Sequence, residues 1–269
     1  MSRLFRIVAV FSAGAAVCLA VDLKPRTIEA FEQYIAGVDA RMQSRWSGEH
    51  FLWFDDAPDI RASLLAGGVV ARPIQGNGII TLPDGLIQDW MGAVFIPKTT
   101  LKETISVVQD YPQHAQIYKP DVADVTVLSH TGNDFTIRTR VVKSKFFISD
   151  VVDIDNQIHF VSLDSKRVYS RSASQRIVEI SNAGKQSERE LPVGHDRGLV
   201  WRVNGYWFFE ESDGGVFVTC ESITLTREIP FLLAKLLGPI VHELPEEALK
   251  NSLEQTRRAV VNLPKLTAP

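Results

Sequence analysis

The chain has 269 residues, of which 45% are hydrophobic and 23% are charged. These proportions are those of an ordinary globular protein, and they exclude a disordered or collagen-like chain. The formal net charge is −3, and the basic residues are dispersed rather than gathered in one run. Bulk electrostatics therefore gives no basis for a nucleic-acid partner.

The first twenty residues differ from the rest and have the pattern of a secretory signal. Arg3 and Arg6 precede an uncharged apolar stretch over 7–20, and charge resumes at Asp22. A basic start, a short apolar core and a small residue at its end predict a signal peptide over 1–20 that is cleaved after Ala20. The protein would then be secreted or periplasmic. The alternative is a retained N-terminal membrane anchor, although the stretch is shorter than the roughly 20 residues of a membrane-spanning helix.

The two cysteines predict a protein that is stabilised by its core. Cys18 falls inside the predicted signal, so Cys220 remains alone and cannot form an internal disulfide. Cys220 lies in a strand-like run beside Val218, which predicts a buried small hydrophobic side chain rather than a nucleophile.

A helical extension is predicted over 21–66. Apolar residues recur there at steps of three and four, which is typical of one face of an amphipathic helix over about 25–45. They are Ile28, Phe31, Ile35, Val38 and Met42. Pro25 suits the first turn of this helix. A short second helix is predicted over about 58–66, before the pair Gly67 and Gly68, and we expect the whole extension to pack on the main domain.

From Gly67 onward the pattern changes to strands, with helices predicted from 99 to about 110 and over about 112–118. The predicted strands, in chain order, lie over 69–70, 79–80, 87–96, 122–129, 135–141, 145–154, 157–164, 168–180, 198–211 and 215–227. Asp155 and Asn156 are interpreted as a hairpin turn between two of these strands. The Asp213-Gly214 pair between two alternating runs is the clearest hairpin signal in the chain.

The chain ends in a helical pattern that begins with a dense apolar stretch over 231–241. Pro239 and Pro245 predict a kink or a restart within it. Glu246 near the start of the second part and Arg258 near its end match the helix macrodipole. The order of elements predicts an α+β fold.

Two runs of the sequence resemble the START-like (SRPBCC, helix-grip) superfamily. They are GLIQDWMGAVFIPKTTLKETISVVQDYPQHAQIYKPDV and WRVNGYWFFEESDGGVFVTCESITLTREIPFLLAKLLGPIVHELPEEALKNSLEQTRRAV. The chain most resembles uncharacterised bacterial members, distantly related to polyketide cyclases and coenzyme Q-binding START proteins. The resemblance implies a curved antiparallel sheet around a long C-terminal helix over 67–262, followed by a tail over 263–269. It carries over no catalytic residues.

Such an architecture predicts an apolar pocket between the sheet and the C-terminal helix. The candidate ligand-binding residues are Trp201, Arg202, Trp207, Phe209, Glu221, Leu233 and Leu237. Strand alternation places Trp201, Trp207 and Phe209 on one face. The alternative is that side chains of the C-terminal helix fill the space.

Arg202 and Glu221 have the opposite strand parity and could face each other across the last hairpin. If that side of the sheet is exposed, they form an ordinary cross-strand pair. If a bulge turns them inward, they would orient the polar head of a ligand. The pattern leaves both readings open.

Motifs for catalysis and cofactor binding are absent from the sequence. We find no Gly-x-Ser-x-Gly elbow, Walker loop, dinucleotide fingerprint or zinc-protease motif. The six histidines are scattered, and none is paired at metal-ligand spacing. No catalytic residue, metal ligand or cofactor is predicted.

The leading hypothesis is an exported protein that binds a hydrophobic small molecule such as a lipid, a quinone or a polyketide. A cyclase- or hydrolase-like enzyme that uses the same pocket is the first alternative. The second is a protein without a ligand that docks on a membrane surface or a partner through 231–241. Ligand identity and oligomeric state are left open.

Overall fold

The structure is a computed structural model that describes residues 23–48, 50–145, 148–192, 200–227 and 231–263. Over 143–145, 148–150 and 231–244 it describes the backbone alone. The predicted signal peptide, Cys18 and most of the predicted tail lie outside the described residues. Among the described helices, none combines the length and hydropathy needed to cross a bilayer.

The helices follow the predicted order. They are α1 (Pro25–Ser47), α2 (Pro58–Leu65), α3 (Leu101–Val108), α4 (His114–Ile117) and α5 (Phe231–Val261), with a 3-10 turn over Tyr111–Gln113 before α4. At the start of α3 the Thr100 hydroxyl accepts a hydrogen bond from the Glu103 N–H, while the Glu103 carboxylate accepts one from the Thr100 N–H. This capping box satisfies backbone donors that the first helical turn leaves free.

The described strands form one antiparallel sheet. They are β1 (Val69–Pro73), β2 (Ile79–Leu82), β3 (Gly85–Pro97), β4 (Val122–Thr131), β5 (Asp134–Lys145), β6 (Ile148–Ser162), β7 (Arg167–Ser181), β8 (Arg189–Glu190), β9 (Arg202–Ser212) and β10 (Gly215–Arg227). The order across the sheet is β1-β3-β10-β9-β7-β6-β5-β4, with β2 beside β3 and β8 beside β7. The curved sheet and the long C-terminal helix confirm the predicted α+β fold.

Helices cover both faces of this sheet. On one side, which we call the α5 face, side chains such as Val94, Val218 and Phe209 pack with Leu249 and Leu253 of α5. On the other side, the α1 face, the buried stripe of α1 packs on alternate residues of β3, β9 and β10. That stripe is Thr27, Phe31, Ile35, Val38 and Met42. The extension therefore packs on the main domain as a layer of its own.

The hairpin between β9 and β10 confirms the strongest turn signal of the sequence. Ser212 pairs with Gly215, and the two residues between them, Asp213 and Gly214, have φ angles of 53° and 76°. Positive φ at both central residues is the requirement of the tight hairpin turn that an Asp-Gly pair favours. Register across the centre of the sheet follows from this turn.

One local prediction is wrong, and another holds in one of its two forms at most. The hairpin turn expected at Asp155 and Asn156 does not form, because β6 runs through both residues and only shifts register there against β7. A fork of hydrogen bonds from Arg138 to the Asp155 carboxylate, at 2.6 and 2.8 Å, helps hold this segment in the ladder with β5. Of the kink or restart expected in the C-terminal helix, the restart does not occur, since α5 continues through Pro239 and Pro245, and the kink stays a prediction.

Candidate functional site

The structure divides the predicted ligand-binding residues between the two faces of the sheet. Trp207 and Phe209 lie on the α5 face, where their rings stack with centroids 6.2 Å apart. Arg202 and Glu221 lie on the α1 face. The expectation that Trp201 shares a face with Trp207 is wrong, because Trp201 precedes β9 and packs in the core under α1.

The expected pairing of Arg202 with Glu221 is also wrong. In the β9–β10 ladder Arg202 lies opposite Leu225, and Glu221 lies opposite Tyr206. Their face of the sheet is not exposed, because α1 covers it and leaves the Glu221 side chain 1% exposed. A covering helix, which strand parity cannot reveal, accounts for the burial.

Leu233 and Leu237 belong to α5, but their side chains lie outside the described part of the molecule. The expectation that they line a pocket therefore stays a prediction, as does the docking surface over 231–241.

A row of small residues crosses the α5 face on three adjacent strands. Ser172 of β7 pairs with Gly205 of β9, which pairs with Ser222 of β10. Ser172 and Ser222 are half-buried. We call Ser172, Gly205 and Ser222 the small-residue row. Trp207, also half-buried, stands beside it on the same face.

The neighbouring row of the α5 face is tightly filled by the helix. A Cβ atom at Gly92 would lie 2.6 Å from Leu253 Cδ1 and 3.0 Å from Leu249 Cγ. At Gly205 the nearest atom to such a Cβ is the Ser172 hydroxyl oxygen at 2.8 Å, and no described side chain of α5 lies within 4 Å of it. The second half of α5 thus packs directly on the sheet at Gly92.

Four buried titratable groups on this side of the sheet have pKa values shifted toward their neutral forms. Burial raises the pKa of the Cys220 thiol and of the Tyr111 and Tyr118 hydroxyls, and it lowers the pKa of His114. The Tyr118 hydroxyl lies 3.0 Å from Thr256 Oγ1 of α5. These four side chains therefore present no charge to the space beside them near pH 7.

Beneath α1 lies a buried charged cluster formed by Tyr34, Arg41, Asp89 and Glu221. The Tyr34 hydroxyl donates to Asp89 Oδ2 at 2.5 Å, and Arg41 Nη2 donates to Glu221 Oε1. Among the described residues, Asp89 Oδ1, Glu221 Oε2 and Arg41 Nε have no hydrogen-bond partner. This cluster joins α1 to β3 and β10.

Burial governs the electrostatics of this cluster. Desolvation raises the pKa of both the Asp89 and the Glu221 carboxyl, and the Asp89 charge raises that of Glu221 further. Arg41 acts in the opposite direction on both carboxyls without cancelling the effect. The pair can therefore share one proton between its unpartnered oxygens, as two neighbouring carboxyls commonly do.

A second network fixes the middle of α1. Arg171 of β7 donates two hydrogen bonds of 2.9 Å to the Asp39 carboxylate. The Tyr206 hydroxyl of β9 donates to the same carboxylate at 2.7 Å. Asp39 is thus held by partners from two strands.

A cleft of about 220 Å³, partly open to solvent, lies between α1 and the strands β9 and β10. Its apolar wall is formed by Ile28, Phe31, Ile35, Ala36 and Leu225. Its polar groups are Glu32, Asp39, Arg202 and Asn204. Arg202, predicted to bind a ligand, therefore lines a cavity on the face opposite the expected one.

No protein-family model matches the sequence, and no curated protein matches it either. Solved structures do match. A STAR-related lipid transfer protein from Xanthomonas axonopodis is 18% identical, with a TM-score of 0.46, over 72% of this chain and 99% of that one. The Zhui aromatase/cyclase from Streptomyces sp. is 11% identical, with a TM-score of 0.46, over 68% and 99%. Human STARD10 is 6% identical, with a TM-score of 0.42, over 78% and 80%.

The sheet and α5 have the arrangement that the START-like resemblance of the sequence implies. In addition, α1 adds a third layer on the face that α5 does not cover. Among the described residues, no three His, Cys, Asp or Glu side chains are placed to hold a metal ion.

Sequence reasoning missed the residues that join α1 to the START-like sheet. Asp89 gave one available signal, since it is a lone carboxylate inside the apolar run of β3. Arg41 gave a weaker one beside Met42 of the buried stripe. Asn204 gave none, because polar residues are common on one side of an antiparallel strand.

Proposed function

We propose that the protein binds a hydrophobic small molecule or lipid between the α5 face of the sheet and the first half of α5. The small-residue row carries this proposal. Its side chains are short, so they leave space above the sheet beside Trp207. The close contact at Gly92 holds the second half of α5 in place. The first half of α5 begins just after β10 ends, and its sequence over 231–241 is strongly apolar.

Burial of apolar surface would drive such binding. Each square ångström of apolar ligand area removed from water contributes about 25 cal/mol, before the entropic cost of association. Serine hydroxyls at Ser172 and Ser222 could hydrogen-bond one polar group of the ligand. Ser172 already donates a 3.3 Å hydrogen bond to the Gly205 carbonyl and would keep its acceptor capacity.

Binding is favoured over acid–base catalysis in this space. A general acid or base works best with a pKa near the operating pH. Burial moves the pKa values of Cys220, Tyr118 and His114 away from neutrality instead. A neutral wall suits an apolar ligand.

The test is a pair of leucine substitutions in β7. Ser172→Leu places a large side chain over Gly205, whereas Gln175→Leu adds the same side chain at an exposed position of the same strand. Binding of an uncharged fluorescent lipid probe, and co-purified lipid in native mass spectra, should fall about tenfold for S172L alone. Ser222→Leu approaches the row from β10 and covers the case in which S172L does not fold. Equal probe binding by wild type, S172L, S222L and Q175L would overturn the proposal.

We also propose that the protein is exported after cleavage following Ala20. The basic and apolar pattern over 1–20 supports this, as does the position of α1, which begins at Pro25 and could form the first element of the mature chain. Expression with a C-terminal tag in a bacterial host, followed by fractionation and intact mass, tests it. A periplasmic product that has lost residues 1–20 is expected, and a full-length membrane-bound product would establish the anchor instead.

A further inference from the structure

The cleft between α1 and the strands β9 and β10 is the strongest unassigned cavity among the described residues. It lies on the α1 face, on the opposite side of the sheet from the proposed lipid site. Its volume of about 220 Å³ is far above the 10–15 Å³ that admits one water and below the roughly 300–1,000 Å³ of drug-sized pockets. A small ligand fits it, and a longer one could extend through the open side.

An amide without a protein partner faces this cleft. Asn204 is only 6% exposed and lines the cleft, and its side-chain amide makes no hydrogen bond to another described residue. Buried side-chain amides are nearly always hydrogen-bonded, because their desolvation is otherwise uncompensated. The neighbouring Asp39 accepts its hydrogen bonds from Arg171 and Tyr206 and none from Asn204. The Asn204 amide therefore keeps its donors for an occupant of the cleft.

Arg202 supplies a positive charge beside this amide. Its Nη1 donates to the Trp201 carbonyl at 2.8 Å, and no carboxylate of the described residues lies within ion-pair distance of it. The guanidinium keeps N–H donors available for an anion. A guanidinium beside an amide N–H is the donor arrangement that recognises a carboxylate.

The other residues that line the cleft indicate the chemistry of the rest of the ligand. Ile28, Phe31, Ile35 and Leu225 form an apolar wall along one side. Glu32 is exposed at the rim and disfavours a second negative charge on the ligand. We infer that this cleft binds a small monocarboxylate with an apolar body, held by Arg202 and Asn204 and distinct from the hydrophobic ligand proposed for the α5 face.

The probe is octanoate, titrated calorimetrically into the full chain, with octanol as the ligand of equal length that lacks the carboxylate. Arg202→Gln should weaken octanoate binding about tenfold through loss of the charge-assisted hydrogen bonds. Asn204→Leu should also weaken it, and Arg202→Lys should restore part of the affinity. Octanol should bind more weakly than octanoate to the wild type and should not distinguish R202Q from it.

A pair of substitutions in α1 keeps the test independent of the strands. Ala36 lines the cleft and Ala40 does not, and both are exposed helix positions that accept leucine. Ala36→Leu should abolish octanoate binding, while Ala40→Leu and the α5-face variant S172L should leave it unchanged. Four results would each overturn the inference. They are equal octanoate affinity in A36L and A40L, loss of octanoate binding in S172L, tighter binding of octanol than of octanoate, and no measurable heat with the wild type. Because S172L reports on the other face, the two sites fail separately.

Discussion

Asp89 and Glu221 lie on neighbouring strands beneath α1, and each carboxylate keeps one oxygen without a hydrogen-bond partner among the described residues. Their other oxygens receive hydrogen bonds from Tyr34 and Arg41 of α1. One shared proton would satisfy both unpartnered atoms, since the carboxyls are within hydrogen-bonding reach of each other. The attachment of α1 to the sheet is thereby linked to pH.

Replacing Asp89 by asparagine should make stability less dependent on pH. Burial raises the pKa of both carboxyls, so the folded state retains a proton that the unfolded chain releases near pH 4. The stability that this proton contributes is complete below pH 4 and is lost as pH rises through the raised values. The side-chain amide introduced by D89N would donate to Glu221 without titrating. Between pH 5 and 8, we expect D89N to gain about 1–2 kcal/mol relative to wild type in urea unfolding.

Glu29→Gln is the matched control for this measurement, because Glu29 is an exposed carboxylate of the same helix. The unfolding free energy of E29Q should run parallel to wild type across the pH range. If D89N also runs parallel to wild type, the two carboxyls do not share a proton.

Arg41 is predicted to be needed only while Glu221 is charged. Arg41→Met leaves a buried carboxylate without its cation, which should lower the unfolding free energy by about 3 kcal/mol. The double variant R41M/E221L removes both charges and should lie within about 1 kcal/mol of wild type, because an apolar pair of similar volume replaces them. Urea unfolding of the singles and the double gives the coupling. Additive effects would show that the pair is not coupled.

Arg26→Met serves as the comparison at the other end of α1. Its partner Asp84 lies at the surface, where water and salt screen the pair. Little change in unfolding free energy is expected there, so a large loss for R26M would mean that helix propensity rather than burial explains R41M.

Local periodicity and turn chemistry were enough to predict most elements. The spacing of the apolar residues in α1 and the Asp213-Gly214 turn are properties of a few adjacent residues. Asp155 and Asn156 show the limit of such rules. They favour a turn, but the Arg138 fork and the ladder with β5 hold them in a strand.

The site was less predictable because strand parity tells which residues share a face but not what covers it. Arg202 and Glu221 were correctly grouped by parity, yet their environment depends on α1, which is distant in sequence. Trp201 was misplaced because β9 begins one residue after it. Nothing local to Asp89 indicates that Tyr34 and Glu221 meet it in space.

Asp39 is predicted to hold the middle of α1 on the sheet. Asp39→Asn weakens the fork from Arg171 and the hydrogen bond from Tyr206. Because the ion pair is partly exposed, the loss in unfolding free energy should be only about 1 kcal/mol. Native-state hydrogen exchange should show faster exchange of α1 amides with unchanged α5 amides. Uniform acceleration in both helices would contradict a local anchoring role.

Two glycine substitutions should separate the filled row of the α5 face from the open one. In Gly92→Ala the new methyl group meets Leu249 and Leu253 at or below 3.0 Å, so α5 must shift. We expect a loss of about 1–3 kcal/mol in unfolding free energy. In Gly205→Ala the closest described atom to the methyl group is the Ser172 hydroxyl oxygen, which can rotate away. The lower chain entropy of alanine in the unfolded state should offset this contact, so G205A should lie within about 1 kcal/mol of wild type in unfolding free energy.

Thermal and urea unfolding of both variants measure the difference. A loss in G205A as large as that in G92A would mean that the first half of α5 packs tightly on the small-residue row, which would leave no room there for a ligand.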